Sequence, residues 1–274
     1  MLKHNFNAES SDHYETPMEA YRHIERVLNR VAKVARKSKD TFTIYDPYFC
    51  DGKVIKNFKA LGWNKVVNVN KDFYKDVEEH TLPNYDALVT NPPYSFDHIE
   101  KILNFCQKNR QCKCFALLLP NYSYRSRFFK EYFDSNFSEG VSYKPFFIAP
   151  VERYVYCRPM SCETSKFIEK ETRDYITSAK GQHSPFLSSW LVYCHTDTER
   201  IFSELLVEEK MHKDFVVART HKGCKWKLKK RSGSRGKKRN RDNKNVIRTN
   251  VQQDRWSSAG LVQKHSRKRK KGKK

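Results

Sequence analysis

The sequence contains no run of about 18 apolar residues long enough to cross a bilayer, and its opening, Met1-Leu2-Lys3-His4-Asn5, lacks the apolar stretch of a signal peptide. These absences predict a soluble, unsecreted protein that makes no use of a membrane. No internal repeat is visible, which excludes solenoids and propellers. Eight cysteines (Cys50, Cys106, Cys112, Cys114, Cys157, Cys162, Cys194, Cys224) spread over 274 residues do not form the dense framework of a disulfide scaffold. They read as mostly reduced, several as small hydrophobes in strand-like runs. Acidic residues are scarce in one region: from Arg219 onward only Asp242 and Asp254 face 23 Lys and Arg, a net of +21, so that residues 1–218 carry just +2 of the total +23.

That asymmetry predicts a near-neutral folded body over 1–218 and a basic tail over 219–274 whose charge seeks a polyanion. A chain of this length buries one good-sized core. The tail, rich in Lys, Arg, Gly, Ser and Asn, has too little apolar surface to offset its ordering entropy, so it is expected to be disordered until it binds.

Within the body the periodicity alternates between helix and strand. Ala20, Ile24, Leu28, Val31 and Ala35 recur at three- and four-residue steps, predicting a helix from Pro17 to about Lys37 with Thr16 as its N-cap and Pro17 at N1. Strands are expected at 41–45, 65–70, 86–90 and 114–120, with helices at 53–61 and 97–107 between them. This βαβ rhythm favours a parallel sheet covered by helices. Two later strands, Pro145 to Tyr156 and Pro185 to Cys194, flank a polar stretch read as an insertion or loop, and residues 199–210 read as a helix.

Asn91-Pro92-Pro93-Tyr94 ends the third strand. Two adjacent prolines stop both ladder and helix, fixing a rigid polar turn at the carboxyl edge of the sheet, where open α/β sheets bind ligands. The plain reading is a turn between strand and helix. The chemical reading concerns an exocyclic amine, whose lone pair is delocalised into a ring or carbonyl and which reacts as a nucleophile only if it is made pyramidal. Acceptors aimed at its hydrogens do this. The Asn91 side-chain oxygen supplies one and the Pro92 carbonyl, held by fixed-φ residues, the other. Tyr94 offers an aromatic face for an extruded base.

On these residues the chain resembles the class I, Rossmann-like S-adenosylmethionine-dependent methyltransferases, and among them the amino-methyltransferases with a (D/N/S)PP(Y/F/W) motif, particularly the adenine-N6 enzymes. Besides Asn91 to Tyr94, three stretches carry the resemblance. Tyr14-Glu15-Thr16-Pro17 is similar to the cofactor-contacting segment before the fold. Asp46-Pro47-Tyr48-Phe49-Cys50-Asp51-Gly52 is similar to the Asp-Pro-x-x-Gly-x-Gly cofactor loop, although Phe49, Cys50 and Asp51 stand where small residues are usual. Pro150-Val151-Glu152-Arg153-Tyr154 with Ser184-Pro185-Phe186 is similar to the late antiparallel hairpin beside the target base. The resemblance implies a mostly parallel sheet with that hairpin. It implies S-adenosylmethionine held by Tyr14, Thr16, Pro17, Asp46, Tyr48 and Gly52. The acidic residue usual at the end of the second strand is replaced by Asn70, which leaves Asp72 as the acid for the cofactor's ribose or adenine. Asn91, Pro92, Pro93 and Tyr94 would be the catalytic residues.

Cys112, Cys114, Cys157, Cys162, His183, Cys194 and His195 do not have the spacing of paired zinc ligands, so no metal is expected. Tyr122 to Phe129, with Arg125 and Arg127, reads either as a nucleic-acid-facing rim or as a solvated helix face whose aromatics enter the core. Arg267-Lys268-Arg269-Lys270-Lys271 resembles a nuclear-import signal and points to nucleus or nucleolus. The expected activity is methyl transfer to the N6 amine of adenine in nucleic acid bound through the tail. RNA is favoured over DNA because no second domain for reading DNA is evident. Protein-glutamine N5 methylation and a non-catalytic RNA-binding scaffold are the alternatives, and an activator subunit is compatible with any of them.

Overall fold

In the computed structural model the described residues are 12, 14–109, 114–136, 143–156 and 187–232. The chain divides into two compact units, Met1–Cys224 and Lys225–Lys274. The first holds a seven-stranded mixed sheet. Its strands are β1 (Thr43–Tyr45), β2 (Lys65–Val67), β3 (Ala87–Thr90), β4 (Cys114–Pro120), β5 (Phe146–Pro150), β6 (Ser188–Tyr193) and β7 (Phe215–Ala218), in the order β2-β1-β3-β4-β6-β5-β7. Pairings among β2, β1, β3 and β4 are parallel, while β6 runs antiparallel to β4 and β5, and β7 antiparallel to β5. Five strands therefore share one direction, and the late pair β5 and β6 is antiparallel as expected.

Strand alternation sorts side chains onto two faces. Ile44, Ala87, Val89, Ala116, Leu118, Phe146, Ile148, Trp190 and Val192 join one core cluster with Ala20, Ile24 and Leu28 of helix α1 (Met18–Val34), Val54 and Phe58 of α2 (Lys53–Ala60), and Ile201 and Leu205 of α6 (Thr198–Met211). On the other face, Phe73 of α3 (Phe73–Glu78) packs between Tyr45 and Phe105 of α4 (His98–Asn109), and Phe133 of α5 (Arg127–Asn136) stacks on Phe147. Each fully buried large side chain contributes about 1.5–3 kcal/mol. The Trp190 indole N–H adds a hydrogen bond to the Ala20 carbonyl (3.1 Å), tying β6 to α1.

Several expectations need correction at their edges. Helix α1 begins at Met18 with Pro17 itself as the N-cap and no side-chain cap bond, so Thr16 does not cap it. It ends at Val34, with Ala35 exposed as the C-cap, because Arg36 takes a left-handed turn (φ 52°). The strands expected at 41–45 and 65–70 shorten to three residues each. Helix α3 and strand β7 were not legible: α3 is a six-residue helix with little periodicity, and β7 is a short apolar run beside the basic tail. Residues 221–232 are helical where the composition predicts disorder. The rest of the tail, with Arg267 to Lys271, lies outside the described residues, as does Ser184-Pro185-Phe186.

Candidate functional site

Strands β1 and β3 are parallel neighbours, and the chain leaves them in opposite directions along the sheet, β1 leading to β2 and β3 to β4. This is the switch point at which such sheets open a crevice at their carboxyl ends. Asp46 follows β1 and Asn91 follows β3, so the two expected site segments meet there. Thr90 Oγ1 donates to Asp46 Oδ1 at 2.5 Å, a direct tie across the switch point, and the Tyr48 N–H donates to the same oxygen at 3.2 Å.

Asp46 is buried, and desolvation pushes its carboxyl up to about 7 despite those two bonds; nearby Glu15 adds to the rise. Glu15 is itself buried and raised by desolvation, while its Oε1 accepts the Asp51 N–H at 2.9 Å. The segment before α1 is thus joined to the loop after β1 by a carboxylate. Thr16 is buried and its carbonyl accepts from Asn57 of α2 at 3.3 Å. Tyr14 is half-buried beside Glu15.

Gly52 takes a left-handed conformation (φ 71°) as the N-cap of α2, the backbone state that glycine adopts without strain. A Cβ there would meet the Phe49 ring at 3.5 Å, an ordinary contact, so the requirement for glycine comes from the backbone. Tyr48 is buried among Phe73, Tyr74 and His98, with its hydroxyl 3.0 Å from that of Tyr74. Its side chain is therefore engaged in the aromatic layer under α3 and α4. Asp72 is the N-cap of α3, its Oδ1 accepting from the N–H groups of Tyr74 (2.9 Å) and Lys75 (3.4 Å).

Asn68 was not foreseen. It stands one residue past β2, buried, with its Nδ2 donating to the carbonyls of Asp46 (3.0 Å) and Tyr48 (3.4 Å). Those bonds fix the amide orientation and leave Oδ1 buried with no hydrogen-bond partner among the described residues. Asn70 is nearby in the same loop.

In the turn itself Pro92 and Pro93 are buried. Tyr94 Oη donates to Asn91 Oδ1 at 2.7 Å, with the Leu118 carbonyl at 3.3 Å as the weaker acceptor. Burial raises the Tyr94 phenol well above its ordinary range, so it is a neutral donor. Asp12 secures the turn from outside: its Oδ1 accepts from the Tyr94 (2.9 Å) and Ser95 (3.1 Å) N–H groups, and its Oδ2 accepts from Ser95 Oγ. Sequence reasoning missed Asp12, Glu15 and Asn68 because each acts through contacts 20 or more residues away that no local pattern announces.

Tyr124, Tyr156, Ser188 and Ser189 gather beside Tyr94. Tyr124 Oη donates to the Ser189 carbonyl (2.9 Å) and accepts from Ser189 Oγ (3.0 Å). Burial pushes Tyr156 up to about 12, tempered by the nearby Ser188 and Tyr94 hydroxyls. In the segment from Tyr122, the exposed Arg127 pairs with Glu131 while Phe129 is buried, and Tyr122 and Arg125 are exposed, an arrangement compatible with both a solvated helix face and a nucleic-acid-facing rim. Cys114 and Cys194 face each other across β4 and β6, Sγ to Sγ 3.0 Å, both buried. Among the described residues no three His, Cys, Asp or Glu side chains form a metal cluster; Cys112, Cys157, Cys162 and His183 lie outside them.

No protein-family model matches this chain, and no curated protein matches it significantly.

Proposed function

We propose that the protein is a class I methyltransferase that transfers a methyl group from S-adenosylmethionine to the N6 amine of adenine in nucleic acid. The observation that carries this reading is the position of Asn91-Pro92-Pro93-Tyr94 at the switch point, tied through Thr90 to Asp46.

The donor chemistry of the crevice suits the cofactor. Two buried carboxylates, Asp46 and Glu15, stand near one another and are destabilised as anions, so a cationic ligand relieves both. The cofactor's ammonium and sulfonium are such charges. Asn68 Oδ1, buried and unpaired at the end of β2, is an acceptor for a ribose hydroxyl, while the Asp72 carboxylate already caps α3. Gly52 opens α2 at the loop that would follow the methionine moiety.

When bound, S-adenosylmethionine supplies an electrophilic methyl group. Asn91 Oδ1 and the Pro92 carbonyl accept the two hydrogens of the target amine and favour its pyramidal form. Neither can act as a general base, so the released proton passes to solvent. Tyr94 Oη donates to Asn91 Oδ1, so the amine would replace that bond, freeing the phenol ring to turn its face to the base. The basic tail binds nucleic acid through its phosphates, with RNA favoured, and Arg267 to Lys271 directs the protein to the nucleus or nucleolus.

The test supplies methyl-labelled S-adenosylmethionine with total RNA, genomic DNA and a protein extract in separate reactions, using wild type and Asn91→Ala. Label in N6-methyladenine that depends on Asn91 supports the reading and names the polymer. Label in protein glutamine would replace the substrate. Nucleic-acid binding without cofactor affinity would make the chain a scaffold.

A further inference from the structure

Ser188, the first residue of β6, lies opposite Pro120, the last of β4. Because β6 runs antiparallel, it starts at the edge of the sheet where β3 ends, beside the Asn91 to Tyr94 turn. Tyr156 follows the end of β5 at the same edge and neighbours both Tyr94 and Ser188. Ser188 is only 7% exposed, and Tyr156 Oη and Ser188 Oγ are both shut off from solvent. Among the described residues neither meets a partner at hydrogen-bond geometry, and the hydroxyls near Tyr156 are those of Ser188 and Tyr94. The hydroxyls next to them are satisfied, Tyr124 with Ser189 and Tyr94 with Asn91.

A buried hydroxyl without a partner is costly and uncommon, and a phenylalanine or alanine in its place removes the cost without changing the packing much. Two such groups side by side, against the amine-holding turn, suit a ligand that brings acceptors with it. Resting on the proposed methyl transfer, we infer that Tyr156 and Ser188 are specificity-determining residues whose hydroxyls donate to ring nitrogens flanking the target amine. Adenine matches this pattern, since its N6 amine lies between two ring acceptors, N1 and N7. Cytosine offers one ring acceptor beside its amine, and guanine presents a ring N–H beside its own. A site built to hydrogen-bond an acceptor rejects a base lacking it, because its own donors are then left unpaired.

The experiment compares wild type, Tyr156→Phe, Ser188→Ala and Ser188→Thr on single-stranded oligonucleotides carrying adenine, 1-deazaadenine or 7-deazaadenine at the methylated position. Methyl transfer, thermal midpoint and S-adenosylmethionine affinity are measured for each. On adenine, Tyr156→Phe and Ser188→Ala are expected to lose about tenfold in kcat/KM, the size of one hydrogen bond, while Ser188→Thr keeps most of it. Each deaza substrate should cost wild type a similar factor, but cost nothing further to the variant that lacks the corresponding hydroxyl. Cofactor affinity should not move, and the thermal midpoint should hold or rise. Variants as active as wild type, or variants that melt lower and lose activity equally on all three substrates, would overturn the inference alone. Failure of wild type to methylate the adenine substrate would overturn the methyl-transfer reading and the inference with it.

Discussion

Replacing Asp46 by Asn separates the stability of the fold from the work of the site. The carboxyl rises from an ordinary value of 3.8 to about 7 because burial disfavours its charge. In the folded state it therefore holds its proton to higher pH than in the unfolded chain. Stability from this group is full below about pH 4 and is lost as pH climbs through about 7. The interval between the two values corresponds to about 4 kcal/mol of destabilisation above pH 7, an upper figure that local relaxation would reduce towards 2. Asparagine keeps an oxygen to accept from Thr90 and Tyr48 but carries no charge. Asp46→Asn should then be about 2–4 kcal/mol more stable than wild type at pH 8 and at most about 1 kcal/mol more stable at pH 4.5. Denaturant midpoints at the two pH values check this, and the difference between the proteins cancels other titrations, such as that of buried His23, whose lowered value acts in the opposite direction. A difference that stays flat between pH 4.5 and 8 would refute the reasoning. If the carboxylate holds a cationic cofactor, the same variant should lose at least about tenfold in S-adenosylmethionine affinity while gaining stability, a trade expected of a functional site.

Gly52→Ala places a side chain at φ 71° and should cost about 1–2 kcal/mol in unfolding free energy, together with a loss of cofactor affinity as the loop before α2 shifts. Asp72→Ala removes the cap of α3 and should lower stability by about 1 kcal/mol. Unchanged cofactor affinity in that variant would limit Asp72 to capping, and a clear loss would give it the cofactor role implied by the resemblance. Replacing Arg267, Lys268, Arg269, Lys270 and Lys271 by alanine should flatten the dependence of log affinity on log salt for single-stranded RNA by up to about 3.5. An unchanged slope would show that this cluster does not touch phosphate.

How far the sequence disclosed this arrangement depended on whether a signal was local. Strand β4 was legible to the residue because seven buried positions in a row leave no alternative, and α1 because its apolar positions keep helical spacing from Ala20 to Val31. The turn at Asn91 was legible because consecutive prolines after a strand have few structural uses. Helix α3 escaped notice, since it is short and depends on the Asp72 cap and the packing of Phe73 between Tyr45 and Phe105. Asp12, Glu15, Asn68, Tyr156 and Ser188 were invisible as site residues for a related reason. An acid, an amide or a hydroxyl in a loop has no periodicity, and its meaning appears only when the sheet brings distant segments to one edge.

The most direct test of the central claim incubates wild type and Asn91→Ala with S-adenosylmethionine and single-stranded RNA, then digests the RNA and separates its nucleosides by chromatography with mass detection. N6-methyladenosine accumulating with wild type and absent with Asn91→Ala is the predicted result. An adenosine pool left unmethylated by wild type, in RNA and in a parallel DNA reaction, would contradict it.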